Sequence, residues 1–265
     1  MKTLIYQFWT GQLTSGNEAG VILMDEYAQR IGSEYQFELN PVWPKDARIK
    51  PEGLGRYTPH YGAFKFIFEP VYDDYDFILF CDTDVVPVDH THENIFEEFA
   101  ETNAEIGICE EWMQPELREK HNMGGINNRN DNLYYGLCER KYGTKMLRDS
   151  QGRPRVFNSG CVVYSKAGRK KAREVFESFK EYVDYVGNHL PSFYQGDQNY
   201  LNAMLPKFDW TIMDYKWNSQ IFFTPGTTGD NRPISDYREQ PNFVHVQLRG
   251  ADHYDMKTLR KVVNE

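Results

Sequence analysis

The chain has 265 residues, enough for one large α/β domain or two small ones, with 40% apolar and 26% charged residues. Its formal net charge of −9 disfavours general affinity for a nucleic-acid backbone, although the basic run "KAGRKKAR" at 166–173 stands out locally, either as a patch for such a partner or as a solvated helix face. No apolar run approaches membrane-span length. The start, "MKTLIYQFWTGQ", lacks the apolar core and cleavage site of a signal peptide, so a cytoplasmic location is expected.

In chain order, "TLIYQF" (3–8) reads as a short buried strand closed by Thr10 and Gly11. Residues 17–31 carry apolar positions at helical spacing, and "YQFEL" follows as a strand. "NPVWPKDARIKPEGLG" is a loop broken by Pro and Gly. "HYGAFKFIFEPVY" is expected to be a helix ending near Pro70, and "FILFC" the next strand. "ENIFEEFAE" reads as an amphipathic helix and "EIGIC" as a strand. Periodicity then fails from 110 to 154, which reads as a mobile excursion within the domain, expected to order over a ligand site when that site fills.

Beyond it, "RVFNSGCVVYS" is expected to run strand, turn, strand. Residues 166–187 predict one long helix, "GDQNYLNAML" a shorter one, and "FVHVQL" a final strand. Alternation of strands and helices predicts an α/β domain with a mixed, mostly parallel central sheet. The four cysteines form no C-x-x-C pair and are expected to be reduced thiols.

Chemistry concentrates at "FILFCDTDVVPVD". Asp82 and Asp84 follow an apolar strand, where ligands of parallel sheets bind, and residues i and i+2 of a strand share a face. Two hard oxygen donors there suit Mg²⁺ or Mn²⁺ with phosphate oxygens completing the shell. His245, flanked by valines, is either a core histidine or a third ligand that would shift preference towards Mn²⁺. Asn158-Ser159-Gly160 interrupts a strand with a small residue, and Asp197-Gln198 opens a helix.

Taken in order, D-x-D at a strand end, N-x-G, D-Q-x-x-L-N and a late histidine resemble the retaining glycosyltransferases of the glycogenin and bacterial lipopolysaccharide galactosyltransferase type. The resemblance runs from Ile5 to about Gly250 with 110–154 unmatched. It implies a single GT-A, Rossmann-like domain, with 1–90 as the nucleotide-binding half and 91–265 as the acceptor half. It implies Asp82, Asp84 and His245 as ligands of Mn²⁺ or Mg²⁺, and Phe8, Trp9, Thr10 and Thr83 along the nucleotide. Lys65 would lie near the donor, Asn158 and Gly160 at the donor sugar or acceptor, Asp197 on sugar hydroxyls and Gln198 against the anomeric carbon.

The chain departs from the family pattern in two places. Lys65 stands where the family has Arg, and the terminal signature is His245-Val246-Gln247-Leu248-Arg249-Gly250, in which Arg249 would take the place of the diphosphate-neutralising Lys. The implied reaction is metal-dependent transfer of a sugar from a nucleotide-diphosphate sugar, UDP-sugar being the expected donor, to an acceptor hydroxyl with retention. The acceptor is open among a glycan, a lipid, a protein and a modified base. Two rivals remain. A nucleotidyltransferase would want a basic Gly-rich loop after the first strand, and "QFWTGQLTSGNEAG" has no Lys or Arg. The other is an inactive carbohydrate-binding relative.

Overall fold

The computed structural model describes residues 1–111, 127–223, 241–248 and 255–264. Its main sheet has six strands: β1 (Thr3–Trp9), β2 (Glu34–Leu39), β3 (Phe77–Cys81), β5 (Ile106–Glu110), β6 (Phe157–Ser165) and β7 (Trp210–Ile212), in the spatial order β2-β1-β3-β6-β5-β7. Only β6 runs against the rest, pairing antiparallel with β3 and β5. A second sheet of three strands holds β4 (Val85–Pro87), β9 (Phe243–Leu248) and β8 (Ser219–Phe223), in that order. The mixed, mostly parallel α/β sheet read from the sequence is thus present, with a small satellite sheet added.

Both faces of the main sheet are covered at its centre, so β3 and β6 are buried almost throughout, whereas the edge strand β2 alternates polar and apolar residues and stays part-exposed. Alternation in β1 sends Leu4 and Tyr6 to one core and Ile5 to the other. The first core is closed by the segment His60–Phe68 and by helices α3 (Asn128–Tyr142), α4 (Lys166–Val175), α5 (Phe179–Gly187) and α6 (Asp197–Met204). The second lies under α1 (Ser15–Ile31) and α2 (Ile95–Thr102). The carboxy-terminal helix α7 (Met256–Asn264) packs Leu259, Val262 and Val263 against α1 and the satellite sheet. Gly20 of α1 lies against the Thr83 carbonyl so closely that a Cβ there would clash, which brings this helix down onto the acidic turn.

Four elements differ from their sequence expectation. His60–Phe68 is a 3-10 rather than an α-helix, and Tyr61 to Phe68 are buried without exception, so no solvent face existed to give it a period. The 110–154 stretch is not structureless where it is described. α3 runs from the Asn127 cap to Gly143, whose φ of 66° is the left-handed terminus glycine tolerates. Its buried face is tyrosine-rich and tied by hydroxyls: Tyr134 donates to the Asn199 carbonyl and Tyr135 to the Arg155 carbonyl. Of the 110–154 stretch expected to close over a ligand, residues 112–126 lie outside the described residues.

The predicted 166–187 helix is two helices. Phe176 turns extended, with ψ 131°, and Ser178 caps α5 by accepting from the Glu181 amide. Phe176 and Phe179 nevertheless bury in the same core, so apolar spacing carries through the break. Finally, Asn158-Ser159-Gly160 does not turn the chain. It lies within the continuous strand β6, opposite a register shift in β5.

The basic run is largely absorbed by the fold. Arg169 is 1% exposed and donates to the carbonyls of Tyr164, Tyr72 and Tyr75. Arg173 pairs with Asp73, and Lys171 meets Glu105 at 2.6 Å. A helix holding its guanidinium groups in this way is not a free phosphate-binding face. Among the described residues, no helix is long and apolar enough to cross a membrane.

Candidate functional site

A cleft of 820 Å³ opens at the carboxyl ends of β1 and β3, where parallel sheets bind ligands. Asp82 is the residue after β3, and its amide still donates to the Gly160 carbonyl of β6 at 2.9 Å. The chain then turns, Val85 N–H meeting the Asp82 carbonyl at 3.1 Å, and enters the satellite sheet as β4. The two carboxylates therefore converge across a turn between two sheets and not along one strand face.

The turn is fastened from behind. Gln7 donates to the Asp82 carbonyl at 2.9 Å and is itself held by the Tyr35 hydroxyl at 2.8 Å. The Thr83 hydroxyl donates to Asn17 Oδ1 at 2.7 Å. On the far side, Val85 is in register with His245 of β9, and Val246 N–H donates to the Asp84 carbonyl at 2.8 Å. His245 thus arrives by pairing with β4 and not with "FILFC" itself. Its Nε2 lies 3.3 Å from Asp84 Oδ1.

One ligand atom from each of Asp82, Asp84 and His245 lies within 4.8 Å of the others. The residues fit a divalent cation. Two carboxylate oxygens and an imidazole nitrogen are a mixed set of the kind Mn²⁺ accepts. Gly160 leaves room for them, since a Cβ there would stand 2.6 Å from His245 Cε1 and 2.8 Å from Asp82 Oδ2.

The electrostatics point the same way. Desolvation at the cleft floor, with Asp84 and Asp197 adding repulsion, pushes the Asp82 carboxyl up to about 7. Burial pulls His245 down, but Asp84 and Asp82 outweigh it and raise the imidazole to about 9. Without a cation the cluster therefore retains protons.

A pH dependence follows. Both groups bind protons more tightly folded than unfolded, so the stability they contribute is present at low pH and lost as pH rises. For Asp82 the window is about 4 to 7, and for His245 about 6.5 to 9. Metal-free protein is expected to lose thermal stability across that range. The rise in Tm produced by Mn²⁺ should grow from about pH 5 to about pH 8, because the cation displaces fewer protons at higher pH. Differential scanning calorimetry with Mn²⁺ or with chelator checks this, and a Mn²⁺ shift independent of pH would contradict it.

Of the residues named from the sequence, Phe8, Trp9, Thr10, Asp82, Thr83, Asp84, Asn158, Asp197, Gln198 and His245 all line this cleft. Phe8 stacks on Phe80, and the Trp9 indole donates to the Gln12 carbonyl at 2.9 Å, which holds both rings at the cleft wall. Gly160 is not a lining residue; it sits behind Asp82 and His245. Lys65 is not one either. It is 4% exposed, and its ammonium lies 2.7 Å from Glu38 and 2.8 Å from Glu69. Two carboxylates already neutralise it, which corrects the expectation of a donor-side cation there. Arg249 lies outside the described residues.

Asp197 begins α6. Its Oδ2 accepts from the Ser159 hydroxyl at 3.0 Å, and its Oδ1 lies 3.9 Å from His60 Nδ1. Desolvation pushes its carboxyl above the ordinary value, against the pull of His60 and Ser159. Gln198 is held at both ends: Oε1 accepts from Asn158 Nδ2 at 3.1 Å, and Nε2 donates to Glu111 Oε2 at 3.2 Å.

Several site residues carry no signal in the sequence, Arg56, His60, Glu111 and Asn218 among them. Arg56, in a glycine-broken loop, is the only Arg or Lys among the described lining residues. His60 lines the same wall. Glu111 and Asn218, 6% and 0% exposed, stand behind the cleft and carry no motif.

No protein-family model matches the chain, and no curated protein matches it. Solved structures do. A galactosyltransferase, LgtC, in complex with donor and acceptor sugar analogs superposes with a TM-score of 0.54 at 13% identity, covering 98% of this chain and 95% of that one. Mouse xyloside xylosyltransferase 1 in its apo form gives 0.54 at 14% identity, covering 92% and 97%. At this identity the likeness establishes the fold: a single α/β domain of the GT-A glycosyltransferase type.

Proposed function

We propose that the protein is a metal-dependent glycosyltransferase that moves a sugar from a nucleoside-diphosphate sugar, in the first instance a UDP-sugar, to an acceptor hydroxyl with retention of configuration. The observation that carries this is the Asp82, Asp84 and His245 group at the floor of the cleft, on a GT-A fold. Those three residues would hold the cation, which when bound supplies positive charge to the donor diphosphate.

The chain's own groups account for the rest. Phe8 and Trp9 offer aromatic surface and Thr10 a hydroxyl for base and ribose. Arg56 offers the guanidinium that can pair with phosphate oxygens as the leaving group gains charge. Asp197, oriented by Ser159, would accept from sugar hydroxyls. Gln198 is a poor nucleophile, and its oxygen already accepts from Asn158. It therefore serves as a fixed polar wall beside the anomeric carbon and not as the site of a covalent intermediate.

Same-face attack follows. The bond from the anomeric carbon to the phosphate oxygen breaks, the bond to the acceptor oxygen forms, and the acceptor proton passes to the departing diphosphate. Wall residues Ser192, Phe193, His60 and Asn199 leave a part-aromatic, part-polar face for the acceptor.

The test is a donor screen that measures free nucleotide released from common nucleotide-sugars, with Mn²⁺, with Mg²⁺ and with chelator. Release from one donor, abolished by chelator, is the expected result. No release from any of them, with or without added sugar acceptors, would overturn the proposal.

A further inference from the structure

Behind the cleft, a line of side-chain hydrogen bonds leads from Glu111 to His245. Asn158 Nδ2 donates to Glu111 Oε2 at 3.0 Å. Asn218 Nδ2 donates to Asn158 Oδ1 at 2.9 Å. His245 Nδ1 lies 3.0 Å from Asn218 Oδ1. Asn158, Asn218 and His245 are each no more than 5% exposed, so water does not substitute for these partners.

The direction of every bond in this line is fixed chemically. A carboxylate only accepts and a backbone amide only donates. Asn158 sits between one of each: its NH₂ faces the Glu111 carboxylate and its oxygen faces the Gly160 N–H, at 2.9 Å. Either neighbour alone would orient the amide, and they agree. The Asn158 oxygen can then receive only a donor from Asn218, which turns the Asn218 oxygen towards His245. An amide oxygen requires a hydrogen on the facing ring nitrogen. Nδ1 therefore carries the hydrogen, and Nε2, the nitrogen facing Asp84, is left to present its lone pair to a cation.

We propose that Asn218 is a positioning residue of the metal group: oriented by Asn158, which Glu111 and the Gly160 amide lock, it holds the His245 ring as the Nδ1–H tautomer with Nε2 directed at the cation. The proposal rests on Asp82, Asp84 and His245 binding a divalent cation, and on nothing about donor or acceptor. It also gives Asn158 a duty distinct from contact with sugar. The same amide that bonds Gln198 sets the polarity of the line to the histidine, so the metal floor and the anomeric wall share one orienting group.

The experiment compares Asn218→Leu with Asn218→Asp. Leu removes the acceptor at similar size. Asp keeps an oxygen for the Nδ1 hydrogen but gives up the donor to Asn158 Oδ1. Mn²⁺ affinity is measured by titration on metal-free protein, and the ring tautomer by ¹⁵N resonances of His245 in Mg²⁺-saturated protein. Parent protein should show a protonated Nδ1 in the Mg²⁺ form. Asn218→Leu should weaken Mn²⁺ by roughly 10- to 100-fold, the scale for losing the partner of a ligating histidine. Asn218→Asp should keep Nδ1 protonated and weaken Mn²⁺ less than Asn218→Leu does.

Thermal unfolding without metal separates a folding defect from a loss of orientation. Should Asn218→Leu fail to fold, the parent's ring resonances and Asn218→Asp still decide the matter. A parent ring protonated on Nε2, or an Asn218→Leu variant with unchanged Mn²⁺ affinity, overturns the positioning role. Parent protein that binds no Mn²⁺ at all overturns the metal group instead, and the two failures are thus distinct.

Discussion

Asp84→Asn is expected to lower sugar transfer by about 10²-fold or more, the scale for removing one preorganised electrostatic stabiliser. The substitution keeps shape and removes charge at a residue whose carboxylate faces His245 at 3.3 Å and whose backbone is pinned by Val246. Its effect on metal-free stability should be small, because two consequences oppose. The ion pair with His245 is lost, and so is the repulsion that Asp84 exerts on Asp82. Turnover at saturating Mn²⁺ and calorimetric unfolding, measured on the same preparation, check both halves. Near-normal turnover would remove Asp84 from the site, and a collapse in Tm would make it a folding residue.

Gly160→Ala should be nearly as damaging for a different reason. The added methyl would lie 2.6 Å from His245 Cε1, 2.8 Å from Asp82 Oδ2 and 2.9 Å from Asn158 Oδ1. None of these is the free end of a flexible chain. The histidine is held by Asn218, the Asn158 amide by Glu111, and Asp82 by its place at the strand end. Overpacking of this kind typically costs about 1–3 kcal/mol. Here it acts on two ligands at once, so Mn²⁺ affinity should fall by roughly 10- to 100-fold, with turnover following it. Isothermal titration with Mn²⁺ reads this directly, and parent-like affinity would mean that the ligands do not converge over Gly160.

The parts of the site legible in the sequence are those where a local rule forces a residue type. Asp82 and Asp84 follow an apolar strand, His245 breaks a run of valines, and Asp197 opens a helix; each lines the cleft. What was not legible depends on partners far along the chain. Lys65 reads as a cleft cation until Glu38, 27 residues earlier on the edge strand, is placed 2.7 Å from it. Asn218 follows a short 3-10 turn and has no local signature; its importance comes from Asn158, 60 residues away.

The elements that differ from their sequence expectation do so for similar reasons. Apolar spacing ran unbroken through Phe176 and Phe179, although Ser178 followed three residues later by Glu181 carries a capping pattern that marks a new helix. α3 hides its core face in tyrosines whose hydroxyls are bonded, so a count of aliphatic residues does not find it. Its bracket of Asn127 and Gly143 does. Asn158-Ser159-Gly160 reads as a turn because glycine usually weakens a strand. Here the glycine permits the close approach of His245 and Asp82 while the strand continues.

In the proposed function, Asp82, Asp84 and His245 form one cation site serving a nucleoside diphosphate. Crystals grown with Mn²⁺ and UDP, measured at the manganese absorption edge, test it most directly. The expected result is a single anomalous peak within ligand distance of the Asp82 and Asp84 carboxylates and His245 Nε2, about 2.0–2.3 Å, with diphosphate oxygens completing its shell. UDP bound in the cleft with no peak at these three residues, or a peak held by other side chains, would contradict it.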